Sequence, residues 1–415
     1  MSSDADQGRR VRSLVVIGAG LAGAQSVQAA RALGWDGHLT VLGAEGLAPY
    51  DRPPLSKELF TRTTPAWLRD ELGADLAAAD DVRLAEPATG LTPRPDGVRV
   101  RTSGGAIDAD AVVLATGSRP VLPSRWHART LRTVPDAASL RAAVGPGTRL
   151  VVLGAGWIGA EVAGAATAAG AEVTVVEAGR APLAGALGAE VGSRTIGWYR
   201  DAGVRLLTDS PAAAVDEPSR RVRLTDGSVL EADVVLAAVG ARPESEWLAL
   251  SLPVRPDGHL AVDERWQVPG THGRVAAVGD LARRPSPRHG WVGGGHWDAA
   301  LRGPALAVRT LLHGPGPVGP VDDPPPYVFS TQLGHDLGLL GRPSPQDEVV
   351  LRESPGGWTA LWFAPGGAVL TAVLGVDRPR DVSAARKLFA GTDLPRLDRT
   401  RAADPEVPLR EASLG

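Results

Sequence analysis

The most constraining feature of the sequence is a strand–turn–helix pattern built on three glycines, Gly18-x-Gly20-x-x-Gly23. The apolar segment 11–17 precedes it and has the length of a strand, and an alanine-rich segment of helical composition follows. The first glycine permits a tight turn, the second lets the backbone approach a pyrophosphate, and the third lets the helix pack on the strand. The residues expected to bind a dinucleotide here are Gly18, Gly20, Leu21, Ala22 and Gly23.

The same pattern occurs a second time. Residues 150–153 form an apolar segment that ends in Gly154-x-Gly156-x-x-Gly159. One such pattern alone is weak evidence, but two complete copies in one chain predict two dinucleotide sites and an α/β fold with two Rossmann-like domains. The residues expected at the second site are Gly154, Gly156, Ile158 and Gly159.

Length and composition restrict the remaining possibilities. A chain of 415 residues is long enough for two or three domains. Its formal charge of −3 gives no reason to expect a nucleic-acid partner, and its apolar runs are too short to span a membrane. Residues 1–10 are polar, without the hydrophobic segment of a signal peptide, so we expect a cytoplasmic protein. The eight histidines show no metal-ligand spacing, and we expect no metal site.

Two residue types are rare in informative ways. Cysteine is absent, so the protein itself contains no redox disulfide and no thiolate-bound metal centre. Any electrons that the chain handles must then leave a bound redox cofactor directly or through a partner that has its own metal. Lys57 and Lys387 are the only lysines beside 42 arginines. A lysine offers a compact ammonium that arginine cannot replace, so Lys57 is either a functional residue or a chance surface residue.

The two units differ in the residue that ends the second strand, which comes after the helix of the glycine turn. In the second unit Glu177 ends the strand, where a carboxylate accepts the ribose hydroxyls of NAD and repels the 2′-phosphate of NADP. NADH is therefore favoured over NADPH, although the nearby Arg180 keeps NADPH open. In the first unit Gly43 occupies this place, so we assign the ribose contact to the nearest acid, Glu45.

Three further segments carry a family resemblance. Pro49-Tyr50-Asp51-Arg52-Pro53-Pro54-Leu55-Ser56-Lys57, the junction Ala115-Thr116-Gly117-Ser118-Arg119-Pro120, and the late strand 275–278 with Gly279-Asp280 surround the two glycine units. Together they resemble the ferredoxin-reductase-like branch of the FAD/NAD(P)-dependent oxidoreductases. That branch includes the reductases of bacterial cytochrome P450 and aromatic-ring dioxygenase systems. The resemblance extends over nearly all of residues 12–391.

The resemblance implies a fold and a set of site residues. The fold is that of glutathione reductase, with an FAD domain, an NAD domain and a small α/β C-terminal domain. Asp280 would bind the flavin ribitol, although it could instead only cap a helix. Glu161 would pair with Lys57 beside the flavin and nicotinamide, although it could instead only complement a helix dipole. The other residues assigned to cofactor binding are Arg52, Ala115, Thr116, Gly117, Arg119, Gly240, Gly279, His296, Trp297 and Phe329.

The domain limits follow from the same pattern. We place the FAD domain at residues 11–118 and 245–314, and the NAD(P)H domain at residues 119–244. The proline-rich segment 315–326 then leads into a C-terminal domain at residues 321–394. Residues 395–415 are polar in composition and are expected to form a flexible tail.

The implied activity is electron transfer from NADH through FAD to a [2Fe-2S] ferredoxin that serves a monooxygenase or dioxygenase. Segment 283–313 is rich in arginine and could form a basic collar that attracts an acidic ferredoxin. A merely solvated face is the alternative. The arginines concerned are Arg283, Arg284, Arg288, Arg302 and Arg309. We expect a monomer or a homodimer.

The departures from the family pattern concentrate around the flavin. Phe329 stands where the family commonly has tryptophan, Gly293–Gly295 replace Arg-Val-Glu, and Gly303-Pro304 replace Gln-Gly. These substitutions leave the identity of the electron acceptor open. Two other functions therefore stay open: a pathway-specific oxidoreductase that uses the vacated space for a small organic substrate, and an NADH-responsive flavoprotein sensor.

Overall fold

The computed structural model of the chain describes residues 11–216, 220–295, 297–319 and 322–414. His296, which the sequence assigns to the flavin site, lies outside the described residues. The chain divides into two compact units. Unit 1 comprises Met1–Asp51, Ala66–Arg119 and Arg242–Pro326, and unit 2 comprises Arg52–Pro65, Pro120–Ala241 and Tyr327–Gly415.

The strands and helices below are numbered along the chain. The strands are β1 (Ser13–Ile17), β2 (His38–Leu42), β3 (Asp81–Arg83), β4 (Ala88–Arg94), β5 (Gly97–Thr102), β6 (Gly105–Ala109), β7 (Ala111–Leu114), β8 (Ser118–Pro120), β9 (Arg149–Leu153), β10 (Glu172–Val176), β11 (Arg205–Leu207), β12 (Ala212–Val215), β13 (Arg221–Leu224), β14 (Val229–Glu231), β15 (Val234–Ala237), β16 (Ala241–Pro243), β17 (Leu260–Ala261), β18 (Val275–Ala277), β19 (Ala282–Ser286), β20 (Gly290–Gly293), β21 (Tyr327–Gln332), β22 (His335–Gly341), β23 (Glu348–Ser354), β24 (Gly357–Phe363) and β25 (Leu370–Val376). The α-helices are α1 (Leu21–Ala32), α2 (Pro54–Lys57), α3 (Leu68–Leu72), α4 (Val134–Ala143), α5 (Trp157–Ala168), α6 (Ala184–Leu187), α7 (Ala189–Ser193), α8 (Ile196–Asp201), α9 (Trp297–His313), α10 (Pro379–Leu388) and α11 (Arg399–Ala403).

Unit 1 is built on a parallel sheet with the strand order β18-β7-β1-β2-β3. The central strands β7 and β1 are almost entirely apolar, because both faces of a parallel sheet are covered. Helices α1 and α9 pack against each other. The antiparallel sheet β4-β5-β6 belongs to the same unit. The carboxyl end of β1 thus points at the first glycine turn, where α1 begins.

Unit 2 repeats this arrangement and then adds to it. Its parallel sheet has the order β11-β10-β9-β15, and α5 begins at the second glycine turn. An antiparallel sheet with the order β21-β22-β25-β24-β23 follows later in the chain, with α10 packed on β22 and β25. The two expected Rossmann-like folds are present, and so is the expected small C-terminal α/β fold.

The expectation of a flexible tail at residues 395–415 is wrong for residues 395–414. Leu397, Ala402, Leu409 and Ala412 are buried in one apolar cluster with residues of the antiparallel sheet. The guanidinium of Arg352, which is 2% exposed, donates hydrogen bonds to backbone carbonyls of this segment. The few apolar residues of segment 395–414 are separated by polar ones, so composition alone did not indicate that they are buried.

In the part of the chain that the structure describes, no helix is long and apolar enough to cross a membrane.

Candidate functional site

The first glycine loop of unit 1 has the geometry that a bound pyrophosphate needs. Gly18 has a φ of +118°, which a side chain disfavours, and a Cβ at Gly23 would lie 1.9 Å from the carbonyl oxygen of Gly18. A Cβ at Gly20, by contrast, would meet nothing within 4 Å. Gly20 is therefore open where the phosphates would approach, and Leu21 and Ala22 begin the helix whose N–H groups would face them.

The strand β2 brings its end beside this loop, but without an acid. A Cβ at Gly43 would lie 3.0 Å from the carbonyl oxygen of Leu84 and 3.1 Å from the Cβ of Ala19. A side chain at position 43 would therefore be crowded by Leu84 and Ala19. Glu45 lies two residues further on, and its carboxylate accepts a hydrogen bond of 2.5 Å from the Tyr50 hydroxyl. The assignment of Glu45 to the ribose stays a prediction.

Asp280 in unit 1 lies in a close-fitting polar niche. Its carboxylate accepts hydrogen bonds from the Ser118 hydroxyl at 2.7 Å and from the Gly295 amide at 3.1 Å. Asp280 lies within the 3-10 helix Gly279–Leu281, whose N-cap residue is Val278. It therefore does not cap that helix, and its carboxylate is oriented by contacts far apart in sequence.

The three glycines at 293–295 differ in the space around them: a Cβ at Gly293 would come no closer than 3.6 Å to another atom, and a Cβ at Gly295 would meet nothing within 4 Å. A Cβ at Gly294 would lie 2.4 Å from the Cα of Asp280 and from the carbonyl oxygen of Gly279. The missing side chain at this position leaves no vacated space, because the backbone itself packs against Asp280. The expected room for a small substrate is thus not present at Gly294. In the helix that follows, the Trp297 indole donates to the Asp51 carboxylate at 2.9 Å.

The junction after β7 is also held within unit 1. The Ala115 amide donates to the Ile17 carbonyl at 2.7 Å, and the Thr116 hydroxyl donates to the Glu244 carbonyl at 2.8 Å. Gly117 takes a positive φ of 71°. The Arg119 guanidinium forms ion pairs with Glu246 and, at 3.6 Å, with Glu244. Burial raises the pKa of the Glu244 carboxyl.

The second glycine loop, in unit 2, repeats the first. Gly154 has a φ of +100°, and a Cβ at Gly159 would lie 2.0 Å from the carbonyl oxygen of Gly154. A Cβ at Gly156 would meet no other atom within 4 Å. Here the strand β10 is followed by Glu177, whose carboxylate accepts from the Ala155 and Gly179 amides, each at 2.7 Å. The acid predicted to bind the NAD ribose is thus fixed against the glycine loop. The exposed Arg180 lies three residues after Glu177.

Two other predicted residues of the second site lie on the surface of unit 2. Ile158 is 41% exposed in the first turn of α5. Gly240 has a φ of +118° and would accept a Cβ without a contact within 4 Å. Both are therefore available to a ligand.

An ion pair with a buried carboxylate and a half-buried lysine lies one turn into α5. Glu161, which is 6% exposed, forms an ion pair with Lys57 of α2. The family resemblance implied this pairing. Its carboxylate also accepts hydrogen bonds from the hydroxyls of Ser56 and Ser330. The Phe329 ring lies 5.2 Å from the Lys57 ammonium. The glutamate thus does more than complement the helix dipole.

Arg52 lies at the start of the same proline-rich segment. Its guanidinium donates to the Arg132 carbonyl at 2.6 Å. This contact fixes the segment within unit 2 and leaves the predicted contact of Arg52 with a cofactor as a prediction.

The expectation of a basic collar at residues 283–313 is wrong. Each of its five arginines has a carboxylate beside it, and three of the four acids lie outside the arginine-rich segment. The pairs are Arg283–Asp257 at 2.6 Å, Arg284–Asp323 at 2.5 Å, Arg288–Asp323 at 3.5 Å, Arg302–Asp298 at 2.7 Å and Arg309–Asp322 at 3.5 Å. The local charge is largely compensated, because folding brings acids from other segments to these arginines. The alternative of a solvated face fails for Arg284 and Arg288, whose side chains are buried.

Sequence reasoning missed three residues around Glu161: Ser56, Ser330 and Gln332. Gln332 donates to the Ser330 hydroxyl at 3.0 Å. The available signal was their position in the chain: Ser56 precedes Lys57, Ser330 and Gln332 follow Phe329, and the sequence assigns both Lys57 and Phe329 to the site. Among the described residues, no group of three or more histidine or acidic side chains could hold a metal.

The fold and both glycine loops define a protein with two dinucleotide sites. Residues 12–302 match the model of the pyridine nucleotide-disulphide oxidoreductases, and residues 327–413 match that of the reductase C-terminal domain. The chain therefore belongs to the pyridine nucleotide-disulphide oxidoreductase family, although it has no cysteine to form the disulfide of that name. The expected fold class and family are confirmed, and membership implies FAD and a pyridine nucleotide as cofactors.

Individual relatives cover almost the whole chain. Terpredoxin reductase from a Pseudomonas species is 32% identical over 98% of this chain and 99% of its own length. The ferredoxin–NAD(+) reductase subunit of the benzene 1,2-dioxygenase system of Pseudomonas putida is 32% identical over 96% of this chain and 97% of its own. The putidaredoxin reductase–putidaredoxin covalent complex has a matching chain with a TM-score of 0.85 and 27% identity, which covers 97% of this chain and 98% of that one.

Proposed function

We propose that this protein is a flavoprotein reductase that passes electrons from NADH through FAD to a [2Fe-2S] ferredoxin serving a monooxygenase or dioxygenase. The observation that carries the proposal is the pair of glycine loops, each with an open second glycine at a helix N-terminus, in a chain without cysteine. The names of the relatives, which include ferredoxin and terpredoxin reductases, agree with this acceptor class.

Unit 1 fits FAD. The open position at Gly20 admits the pyrophosphate, and the oriented Asp280 carboxylate can accept hydrogen bonds from ribitol hydroxyls. Glu45 would serve the adenosine ribose in place of the acid that Gly43 cannot supply. Bound FAD would supply the chemistry of the reaction, because a flavin takes two electrons as a hydride and returns them singly.

Unit 2 fits NADH. Gly156 would admit the pyrophosphate, and Glu177, fixed by the Ala155 and Gly179 amides, would accept the ribose hydroxyls and repel a 2′-phosphate. Lys57 and Glu161 would orient the nicotinamide end of the site. The carboxylate of this ion pair is buried, the Lys57 side chain is 17% exposed, and the Phe329 ring lies 5.2 Å from the ammonium. These residues position the reacting groups and supply no covalent step.

The acceptor rests on the relatives and on the absence of cysteine from the sequence, since the arginine-rich segment no longer supports it. Reduced flavin in this chain has no protein disulfide to receive its electrons, so an external acceptor is required. A small organic acceptor is the alternative: backbone fills the place of a side chain at Gly294, whereas a Cβ at Gly295 would meet nothing within 4 Å. We place the reductase in the cytoplasm, where NADH and such ferredoxins are available.

The test is anaerobic. Purified protein is mixed with NADH, the flavin absorbance is followed, and oxidised [2Fe-2S] ferredoxin with cytochrome c is then added. We expect rapid bleaching of the flavin and cytochrome c reduction that depends on ferredoxin. Bleaching without transfer to several ferredoxins would point to a small-molecule acceptor or a sensor. If NADH does not bleach the flavin, the assignment of the second site is wrong.

A further inference from the structure

The Glu161 carboxylate receives more hydrogen bonds than an ion pair with Lys57 requires. Ser56 donates to one of its oxygens, and Ser330 donates to the oxygen that also faces Lys57. Ser56 and Lys57 are neighbours on α2, whereas Ser330 comes from β21, 169 positions further along the chain than Glu161. The C-terminal antiparallel sheet thus reaches the carboxylate that holds Lys57.

The direction of the Ser330 hydrogen bond is fixed by Gln332. A serine hydroxyl has one proton to donate, and its oxygen can also accept. The Gln332 side-chain amide donates to the Ser330 oxygen at 3.0 Å, so the single Ser330 proton is left for Glu161. Both side chains are nearly inaccessible, at 3% and 2% exposure, so water cannot easily replace either bond.

The hairpin formed by β21 and β22 is seated on the same helix. A Cβ at Gly164 would lie 3.0 Å from the Leu333 amide nitrogen at the hairpin turn. Gly164 follows Glu161 by three residues, so both face the hairpin from one side of α5. Alternation along β21 directs Ser330 and Gln332 to this side, while Thr331 points to the other and donates to Asp336.

We propose that Ser330 and Gln332 are positioning residues for the reduction of the flavin by NADH. They fix the rotamer of the Glu161 carboxylate, and through it the place of the Lys57 ammonium beside Phe329. The inference rests on the proposed function. It assigns to the C-terminal sheet a part in the NADH half of the reaction, separate from any part in acceptor binding.

The experiment measures flavin bleaching by NADH in an anaerobic stopped-flow instrument, over a range of NADH concentrations. Loss of one hydrogen bond to a charged group should lower the limiting rate of Ser330→Ala about 10-fold. The FAD content and the NADH dissociation constant should stay near those of the unaltered protein. Ser330→Thr keeps the hydroxyl and should restore most of the rate. Thr331→Ala is the matched control on the opposite face of the strand and should behave as the unaltered protein.

A double-variant cycle distinguishes positioning from general damage. If Ser330 acts through Lys57, Ser330→Ala should cause little further loss of rate when Lys57→Met is already present. An equal loss in both backgrounds, or an unchanged rate in Ser330→Ala, would overturn the inference. If Ser330→Ala does not fold, Gln332→Leu carries the same prediction with a smaller loss. Failure of NADH to bleach the unaltered protein would instead defeat the proposed function.

Discussion

The two glycine loops share their geometry, but the strands beside them end differently. In both loops the first glycine takes a positive φ. The third glycine packs against the carbonyl oxygen of the first, and a Cβ on it would lie 1.9 Å from that oxygen in the first loop and 2.0 Å in the second. Beside the first loop, Gly43 packs closely against Ala19, and a Cβ there would lie 3.1 Å from the Ala19 Cβ. Beside the second, Glu177 reaches the amide of the equivalent alanine, Ala155.

This difference shows which part of a dinucleotide site is fixed and which part varies. The glycines are required by backbone contacts, and nothing larger fits at the first and third positions. The ribose acid is a side-chain contact, which another residue can provide from a neighbouring position. A missing acid therefore does not argue against a site, and a present acid reports on the type of nucleotide.

The largest expected effect on cofactor binding comes from adding a methyl group at the second glycine of each loop. Gly20→Ala should fold, since its methyl group enters empty space, but should bind FAD about 100-fold more weakly because the methyl meets the pyrophosphate. Gly156→Ala is the matched variant and should keep its FAD while its NADH affinity falls by a similar factor. Flavin content after purification and NADH titration measure the two outcomes. Equal loss of FAD in both variants would show that the loops are not divided between the cofactors.

A smaller effect should separate the two ribose contacts. Glu177→Ala should lower the preference for NADH over NADPH about 10-fold, because the carboxylate no longer repels the 2′-phosphate. Steady-state kcat/KM for the two nucleotides gives the ratio. Glu45→Ala is the control: it should leave that ratio unchanged and weaken only FAD binding. An unchanged preference in Glu177→Ala would move the discrimination to Arg180 or another contact.

The smallest expected effect lies at the far ends of the two parallel sheets. Asp110 accepts from the Arg12 and Ser13 amides before β7, and Asp233 accepts from the Arg149 amide and guanidinium before β15. Hydrogen bonds from Arg149 lower the pKa of Asp233 from 3.8 to about 2. A lowered folded-state pKa stabilises the protein above the unfolded value, and this contribution is lost as the pH falls from 3.8 towards 2.

Thermal unfolding at several acidic pH values tests this pair. Asp233→Asn should lower Tm slightly at pH values well above the usual carboxyl pKa, and its difference from the unaltered protein should vanish in acid. Because the pair is exposed, added salt should shrink the difference as well. A difference that is independent of pH would contradict a stabilising role of the Asp233 charge, because both the amide and the guanidinium of Arg149 bond to the ionised carboxylate.

The local features of this protein were readable from short segments of sequence. The glycine loops, the acid after β10 and the prolines before α2 act through the backbone of their own neighbourhood, so a few adjacent residues specify them. Even Lys57 and Glu161, far apart in the chain, could be paired in advance because each is attached to a recognisable motif. The sequence by itself thus determined the fold class and the two glycine loops, and its family resemblance indicated the lysine–glutamate pair.

Only the tertiary structure decided the contacts that join unmarked segments. Acids at 257, 322 and 323 neutralise arginines that looked like a free basic surface, and Arg352 binds carbonyls of a segment that looked mobile. Gly294 turned out to press on Asp280 instead of leaving room, and Ser330 was brought to Glu161 by a hairpin. The physical reason is that packing and long-range charge pairing depend on which surfaces meet, and local composition does not record that.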